Sequence, residues 1–139
     1  QLSVEDDIDN DFGDVLNLYR TQCVNSLPMT HQFNWETQKV YLTHASPWSD
    51  TYHVFPNVSI DICRRIFDIA HADIVILGHT HIPMKLCFDY KWIFNSGAIS
   101  GNRSNLQRTC GILTLPHVEF ELFDVDTGLA VELDTTIVQ

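Results

Sequence analysis

The sequence has little positive charge and no long apolar run. Its 139 residues contain 8 Lys and Arg against 18 Asp and Glu, for a formal net charge of −10. A protein that follows a nucleic-acid duplex needs a basic face, so this balance argues against that partner. No apolar run approaches the roughly 18 residues of a membrane-spanning helix, and the acidic N-terminus has no apolar signal region. We therefore expect no contact with a membrane.

Closely paired cysteines are also absent, which disfavours a zinc site of the cysteine type. The four cysteines are widely spaced, at Cys23, Cys63, Cys87 and Cys110. In a chain that is 45% hydrophobic and can form its own core, scattered cysteines are expected to be buried thiols of a reducing compartment. The sequence thus predicts a cytoplasmic protein.

An acidic segment, residues 1–12, precedes the part of the chain with apolar patterning. The run from Glu5 to Asp11 is dense in carboxylates, as a calcium or metal loop would be. Such runs are more often solvated and partly disordered tails. We therefore predict a disordered segment over residues 1–12 and one domain over residues 13–139.

Apolar patterning predicts an α/β section followed by a mainly antiparallel β section. Helical periodicity indicates helices over residues 13–25 and 59–70. Apolar runs indicate strands over residues 39–44 and 73–78, the second buried on both faces, which gives a βαβ unit. Later strands are predicted over residues 85–90, 91–95, 110–115, 117–125 and 129–134.

The sharpest motif is Gly-His-Thr-His-Ile-Pro at residues 78–83. Two histidines two apart in an extended segment project the same way, and we expect Gly78 to allow a tight turn. Imidazole is the commonest metal ligand among side chains, although a surface pair is the simpler interpretation of an isolated His-x-His. The position favours a site, because His79 and His81 follow one buried strand and His44 ends a neighbouring one. Ligands of open α/β sheets bind at such strand ends.

The other four histidines are expected to be ordinary surface or hydrogen-bonded residues. Among them, His53 and His71 are predicted to lie nearest the site, whereas His31 and His117 are not.

Small residues dominate a second feature, the segment from Asn95 to Arg103. Such a turn is rich in backbone N–H groups, and an arginine can contact phosphate with two parallel hydrogen bonds. A plain hairpin loop with a solvated arginine explains the same residues, and the chemistry alone favours it.

Together these segments resemble the calcineurin-like metallophosphoesterases, in particular their small bacterial and archaeal phosphodiesterase-like branch. Residues 39–47 look like the family's strand ending in His-Gly-x-Pro, with Ala45 in place of the glycine. Residues 78–83 match its Gly-His-Thr-His-x-Pro motif. Residues 93–103 are similar to its Asn-Pro-Gly-Ser-Val-x-x-x-Arg turn, with Ser96 in place of the proline.

The resemblance implies the C-terminal part of a four-layer αββα sandwich that hydrolyses phosphoric monoesters or diesters with a hydroxide activated by two divalent metal ions. Manganese, iron, zinc, nickel and magnesium are the candidate metals. It implies His44 and His79 on one metal and His81 on the other. The substrate-binding residues that it implies are Arg103, Asn95 and Gly97.

The family's Asp-x-His, Gly-Asp and Gly-Asn-His-Asp motifs do not occur upstream of these segments. The resemblance therefore implies that the bridging aspartate, the asparagine ligand and the catalytic histidine of the family are missing. We expect this chain to carry an incomplete site.

Three function classes follow. The first is a hydrolase of a phosphorylated small molecule or nucleotide, which the retention of three motif histidines favours. The second is a non-catalytic scaffold, as in the retromer subunit of this fold, and the third is a simple histidine metal-binding module. Because the upstream half would also supply strands, residues 73–77 are expected to have an unpaired edge. That edge predicts association between copies of the chain.

Overall fold

The computed structural model describes residues 17–100 and 107–139. Helix α1 covers residues 17–25 of this part. The predicted acidic segment and Arg103 lie outside the described residues, so those expectations stay predictions. The remaining elements are, in chain order, β1 (Thr30–Trp35), β2 (Gln38–Thr43), α2 (Ile60–Ala70), β3 (Ile74–Ile76), β4 (Met84–Phe88), β5 (Lys91–Asn95), β6 (Thr109–Thr114), β7 (Glu119–Asp124), β8 (Ala130–Val131) and β9 (Thr135–Val138).

Two sheets form the framework. The larger has six strands in the order β1-β2-β3-β5-β4-β9, and the smaller has three in the order β6-β7-β8. Strands β2, β3 and β5 run parallel to one another. The pairs β1-β2, β4-β5, β6-β7 and β7-β8 are antiparallel, and β9 joins β4 in parallel. The mixed α/β class and the predicted change to antiparallel pairing after residue 84 are thus confirmed.

The predicted βαβ unit is β2-α2-β3, with Val40 opposite Ile74 in the parallel register. Successive side chains of a strand point to opposite faces. In β3, Ile74 and Ile76 accordingly pack between the two sheets, whereas Val75 packs with α2. The continuous apolar run follows from the position of β3 in the middle of a sheet that is covered on both faces.

Two core clusters hold the described elements in three layers. The first joins Ile66 of α2 to Val75 and Ile93 of the larger sheet. The second lies between the sheets, where the rings of Phe94 and Phe120 stack with centroids 4.6 Å apart. The described residues therefore contain α2, the larger sheet and the smaller sheet, which are three of the four layers that the resemblance implies.

Helix α2 begins and ends within one residue of its predicted bounds. The Ser59 hydroxyl accepts a hydrogen bond from the Ile62 backbone N–H at 3.4 Å and caps the first turn. His71 ends the helix in the left-handed conformation, with φ of 47°, and its N–H donates to the Phe67 carbonyl at 2.9 Å. The buried face consists of Cys63, Ile66, Phe67 and Ala70.

The unpaired edge predicted for residues 73–77 is wrong, because β3 is bonded to β2 on one side and to β5 on the other. The larger sheet ends instead at β1 and β9, neither of which was predicted as a strand. The strand predicted over residues 129–134 is reduced to Ala130–Val131. Association between copies of the chain stays a prediction.

Helix α1 belongs to neither core cluster. Residues 17–25 are all exposed, and Leu18, Tyr19 and Val24 are exposed by 61%, 67% and 65%. No helix within the described ranges is long and apolar enough to cross a membrane.

All four cysteines are free, but only one fits the expectation of a buried thiol. Cys63 is fully buried on the inner face of α2, and burial raises the pKa of its thiol to about 11. Cys87 and Cys110 are half-buried, and Cys23 on α1 is exposed.

Candidate metal site

Two loops meet at the carboxyl ends of β2 and β3. His44 directly follows β2, and Gly78 lies two residues beyond the end of β3. The Gly78 N–H donates to the His44 carbonyl at 2.9 Å, and the Leu77 N–H donates to the Phe94 carbonyl of β5 at 2.9 Å. The parallel strands thus bring both histidine loops to one edge of the sheet, as predicted.

The loop of residues 78–83 is a compact turn, which corrects the expectation of an extended segment. His79 and His81 both have left-handed backbones, with φ of 67° and 60°. The Thr80 N–H donates to the Gly78 carbonyl at 2.8 Å, and the Thr80 hydroxyl accepts from the Ile82 N–H at 3.3 Å. Gly78 itself has no positive φ, so the histidines rather than the glycine make the turn. Such backbones cost on the order of 1–3 kcal/mol each and cluster at functional sites.

The imidazoles of His44 and His79 meet at this edge. The His44 Nε2 lies 3.0 Å from the His79 Nδ1, and the ring planes cross at 72°. The other ring nitrogen of His79, Nε2, is buried and has no hydrogen-bond partner. Two nitrogens that each lie about 2.0–2.1 Å from one zinc ion are roughly 3 Å or slightly more apart. The pair therefore fits two positions of one coordination sphere, and it equally fits a hydrogen bond between two neutral rings.

His81 does not complete a ligand set with these two residues. It is half-buried at the end of the same turn. Within residues 17–100 and 107–139, no three His, Cys, Asp or Glu side chains are grouped closely enough to hold a metal ion. The predicted convergence of three imidazoles is thus seen for His44 and His79, and metal ligation by all three stays a prediction.

A further histidine, His53, packs against the pair. Its ring centroid lies 4.3 Å from that of His79, with the planes inclined at 47°. His53 lies in the loop between β2 and α2, and its position near the site is as predicted. The prediction that His71 also lies near the site is wrong. It caps α2 at the end of the sheet where β3 begins, and its carbonyl accepts from the Gln32 side chain.

Asn95, at the end of β5, stabilises the histidine turn through hydrogen bonds from its buried side chain. It is fully buried, and its amide donates to the Gly78 carbonyl and to the Thr80 hydroxyl, both at 3.1 Å. Its oxygen accepts from the Gly97 N–H at 2.9 Å. Both amide hydrogens are therefore used within the protein, which gives Asn95 a positioning role here; its contact with substrate stays a prediction.

Gly97 packs too tightly for any other residue. Its φ is 80°, and a Cβ there would lie 2.1 Å from the Thr109 hydroxyl oxygen and 3.0 Å from Pro83. That hydroxyl donates to the Ser96 carbonyl at 2.7 Å. The glycine thus lets the segment after β5 pass directly beneath the histidine turn, while its contact with substrate also stays a prediction.

Two open cavities border His44. One of about 520 Å³ lies between residues 27–31 and the end of β2. The other, of about 290 Å³, is bounded by His44, Trp48 and Asp50 among others. The larger falls within the range of small-molecule sites, so there is room for a ligand beside the paired imidazoles.

A two-sheet α/β sandwich with histidine loops at the ends of its parallel strands is typical of the metallophosphoesterase class of folds. The family model described as "Calcineurin-like phosphoesterase superfamily domain" matches residues 8–117. The chain therefore belongs to the calcineurin-like phosphoesterase superfamily.

Several solved structures share this fold. Vacuolar Protein Sorting 29 (Vps29) from Cryptosporidium parvum is similar with a TM-score of 0.60 and 19% identity, over 76% of this chain and 54% of that one. A predicted phosphoesterase from Streptococcus pneumoniae gives a TM-score of 0.55 and 19% identity, over 78% and 63%. Vps29 from Entamoeba histolytica complexed with Zn²⁺ gives 0.54 and 19%, over 76% and 59%.

The chain thus spans 54–63% of the length of these structures. No protein of curated function matches it by sequence.

Proposed function

We propose that this chain is the histidine-bearing part of a metal-dependent phosphoric ester hydrolase. One observation carries the proposal: His44 Nε2 and His79 Nδ1 lie 3.0 Å apart at the strand ends, beside a buried and unpartnered Nε2 of His79. Buried polar groups in native proteins nearly always have a partner. Membership of the superfamily supports phosphate ester chemistry at this place.

His44 and His79 would supply two of the ligands of one divalent cation, and His81 is the proposed ligand of a second cation. Among the candidate metals, imidazole ligands favour zinc, iron or nickel over manganese and magnesium. When bound, such cations polarise a phosphoryl oxygen and lower the pKa of a coordinated water. A tetrahedral sphere needs further ligands beyond the imidazole pair, and among the described residues no third acidic, cysteine or histidine side chain is grouped with the pair closely enough to hold the ion.

The chain's own residues have supporting tasks. Asn95 fixes the turn that carries His79 through two hydrogen bonds of 3.1 Å. Ligand side chains that are held in this way keep their orientation when a cation binds. We propose a phosphorylated small molecule or nucleotide as substrate, because a chain with a net charge of −10 is unsuited to a nucleic-acid duplex. Gly97 and Arg103 are the residues that we propose to contact this substrate.

Metal binding and hydrolysis together test this function. We expect Mn²⁺ or Zn²⁺ to bind the chain in isothermal titration calorimetry, and His44→Ala and His79→Ala each to weaken binding at least ~10-fold. Any turnover of p-nitrophenyl phosphate or bis-p-nitrophenyl phosphate with added metal should fall in the same two variants. His117→Ala is the matched control, since His117 is exposed in the turn between β6 and β7.

Retained turnover in both site variants would contradict the assignment of the pair. Absence of metal binding and of turnover in the unmodified chain would refute the hydrolase proposal as a whole.

A specific observation also supports a second candidate, a partner-binding scaffold. Apolar side chains line α1 and the segment after it, and they are exposed by 61–67%: Leu18, Tyr19, Val24, Leu27 and Met29. Two of the similar structures above are Vps29 proteins. A chain that binds no metal, but whose Leu27→Ser variant is more soluble and equally stable in thermal denaturation, would favour this candidate. A chain that binds metal and turns over phosphate esters would favour the hydrolase.

A further inference from the structure

An aromatic pair beside His79 has no role in the function proposed above. His53 and Phe55 lie in the loop between β2 and α2, and their rings stack with centroids 5.6 Å apart and planes only 8° from parallel. The same His53 ring lies 4.3 Å from the His79 ring. The rings of His79, His53 and Phe55 therefore form one continuous row that leads away from the metal-site histidines.

The row is exposed, although the loop that carries it is anchored. Val54, between the two aromatic residues, is buried in the core cluster under α2 with 2% exposure. His53 and Phe55 flank this buried residue directly in the sequence. Phe55 is exposed by 43%, and His53 is exposed as well. Single exposed apolar residues are common, so the significance of Phe55 rests on its connection to His79.

Hydrogen bonds hold the first part of this loop in one conformation. The backbones of Ser46 and Ser49 bond to each other at 3.0 and 3.3 Å, and the Ser46 hydroxyl donates to the Ser49 carbonyl at 3.0 Å. The Thr43 hydroxyl donates to the Ser46 carbonyl at 3.3 Å. A surface that is ordered before the ligand arrives loses less conformational entropy on binding.

We propose that the His53–Phe55 pair selects the substrate of this site and favours phosphate esters that carry a flat aromatic group. The inference rests on the proposed function, because the phosphate must lie at His44 and His79. An aryl group or nucleobase attached to that phosphate would extend along the row and stack on the exposed face of Phe55. Aromatic faces accept flat rings with little preference for their substituents, so the shared requirement is a flat ring.

The test compares matched ligands that the site cannot hydrolyse. Phenylphosphonate and ethylphosphonate differ in the ring and have no ester bond, and their dissociation constants are measured by calorimetry on the Mn²⁺-loaded chain. We expect phenylphosphonate to bind about 10-fold more tightly to the unmodified chain. The ratio should approach one in Phe55→Leu, which keeps an apolar side chain, and should persist in Phe55→Trp.

A second ligand pair, AMP and ribose 5-phosphate, distinguishes the source of the ring. Preference for AMP in the unmodified chain, lost in Phe55→Leu, would assign a nucleobase. Preference confined to phenylphosphonate would assign a simpler aryl group. Either result supports the proposal.

Tyr90→Leu is the control for a general loss of surface aromatics, since Tyr90 is exposed by 93% in the turn between β4 and β5. It should leave every ratio unchanged. Equal binding of ring-bearing and ring-free ligands, or a ratio that Phe55→Leu does not alter, would overturn the aromatic selection while leaving the hydrolase proposal intact. Failure of the loaded chain to bind any phosphonate or inorganic phosphate would instead refute the proposed function, and this inference with it.

A structural role for the stacked pair predicts a different result. If the rings only stiffen the loop, Phe55→Leu should lower the melting temperature and weaken both phosphonates equally. A change in the ratio at constant melting temperature is expected only when the ring contacts the ligand.

Discussion

The histidine turn and the turn that follows β7 both contain buried polar atoms. Only the turn after β7 gives its buried side chain, Asp124, a full set of hydrogen-bond partners. Asp124, at the end of β7, accepts hydrogen bonds from the Gln107 side chain, from the Asp126 and Thr127 N–H groups, and from the Thr127 hydroxyl. His79 has a partner for one ring nitrogen and none for the other, which is buried.

The two turns therefore differ in what they leave unsatisfied. A buried group without a hydrogen bond costs about 1–3 kcal/mol, and the histidine turn carries that cost at His79 Nε2. The β7-β8 turn is complete without any additional molecule. The histidine turn leaves one buried nitrogen without a hydrogen-bond partner and has two left-handed histidines in its backbone, and such strained backbones cluster at functional sites.

The largest loss of stability is expected when a methyl group is added to Gly97, beneath the histidine turn. Gly97→Ala adds a Cβ that would lie 2.1 Å from the Thr109 hydroxyl oxygen, at a φ of 80°. We expect a loss of about 3 kcal/mol or more in urea unfolding, from overpacking and backbone strain together. Gly128→Ala in the β7-β8 turn is the matched control, because its φ is 70° but nothing lies within 4 Å. It should lose only about 1 kcal/mol, and equal losses would show that the two turns are packed alike.

A smaller and pH-dependent effect is expected at Asp124. The hydrogen bond from Gln107, and then those from Thr127, lower the pKa of its carboxyl below the ordinary value of 3.8. A depressed folded pKa means that this stabilisation is complete above the unfolded pKa and is lost as the pH falls through the folded pKa. Asp124→Asn should therefore be less stable than the unmodified chain at pH 6, with the difference shrinking below pH 3.8.

Urea unfolding at a series of pH values measures this. Asp61→Asn is the control, since the Asp61 side chain is 89% exposed and its ion pair with Arg64 lies on the surface. Its profile should follow that of the unmodified chain. A constant deficit for Asp124→Asn across the whole pH range would contradict the carboxylate interpretation.

The same two regions show how far the sequence predicts the molecule. Strands β2, β3 and β5 and helix α2 are predicted because burial on one or both faces leaves a periodic apolar pattern in the sequence. Strand β1 is not, because five of its six residues are exposed and burial therefore leaves little apolar signal in its sequence. It forms a strand because its backbone pairs with the edge of β2. This pairing is a tertiary effect, and the β-propensity of the residues does not predict it.

At the site, the sequence locates His44 and His79 because each follows a strand of the parallel set. It places His53 near the site but does not show its contact with His79, which depends on the anchoring of Val54 under α2. It also gives the wrong backbone for residues 78–83, since left-handed histidines are rare and the bracing amide of Asn95 comes from a different strand.

The smallest change in metal-free stability, and the sharpest test of the comparison, is expected at His79. His79→Asn keeps a residue type that tolerates a left-handed backbone and removes the buried, unpartnered nitrogen, so the free energy of unfolding should stay within about 1 kcal/mol of the original. The unmodified chain should gain about 2.7 kcal/mol at a metal concentration 100-fold above the dissociation constant, whereas the variant should gain much less. His117→Ala should respond to metal as the unmodified chain does. If metal stabilises His79→Asn equally, then His79 is not a ligand, and the turn is structural in the same sense as the one at Asp124.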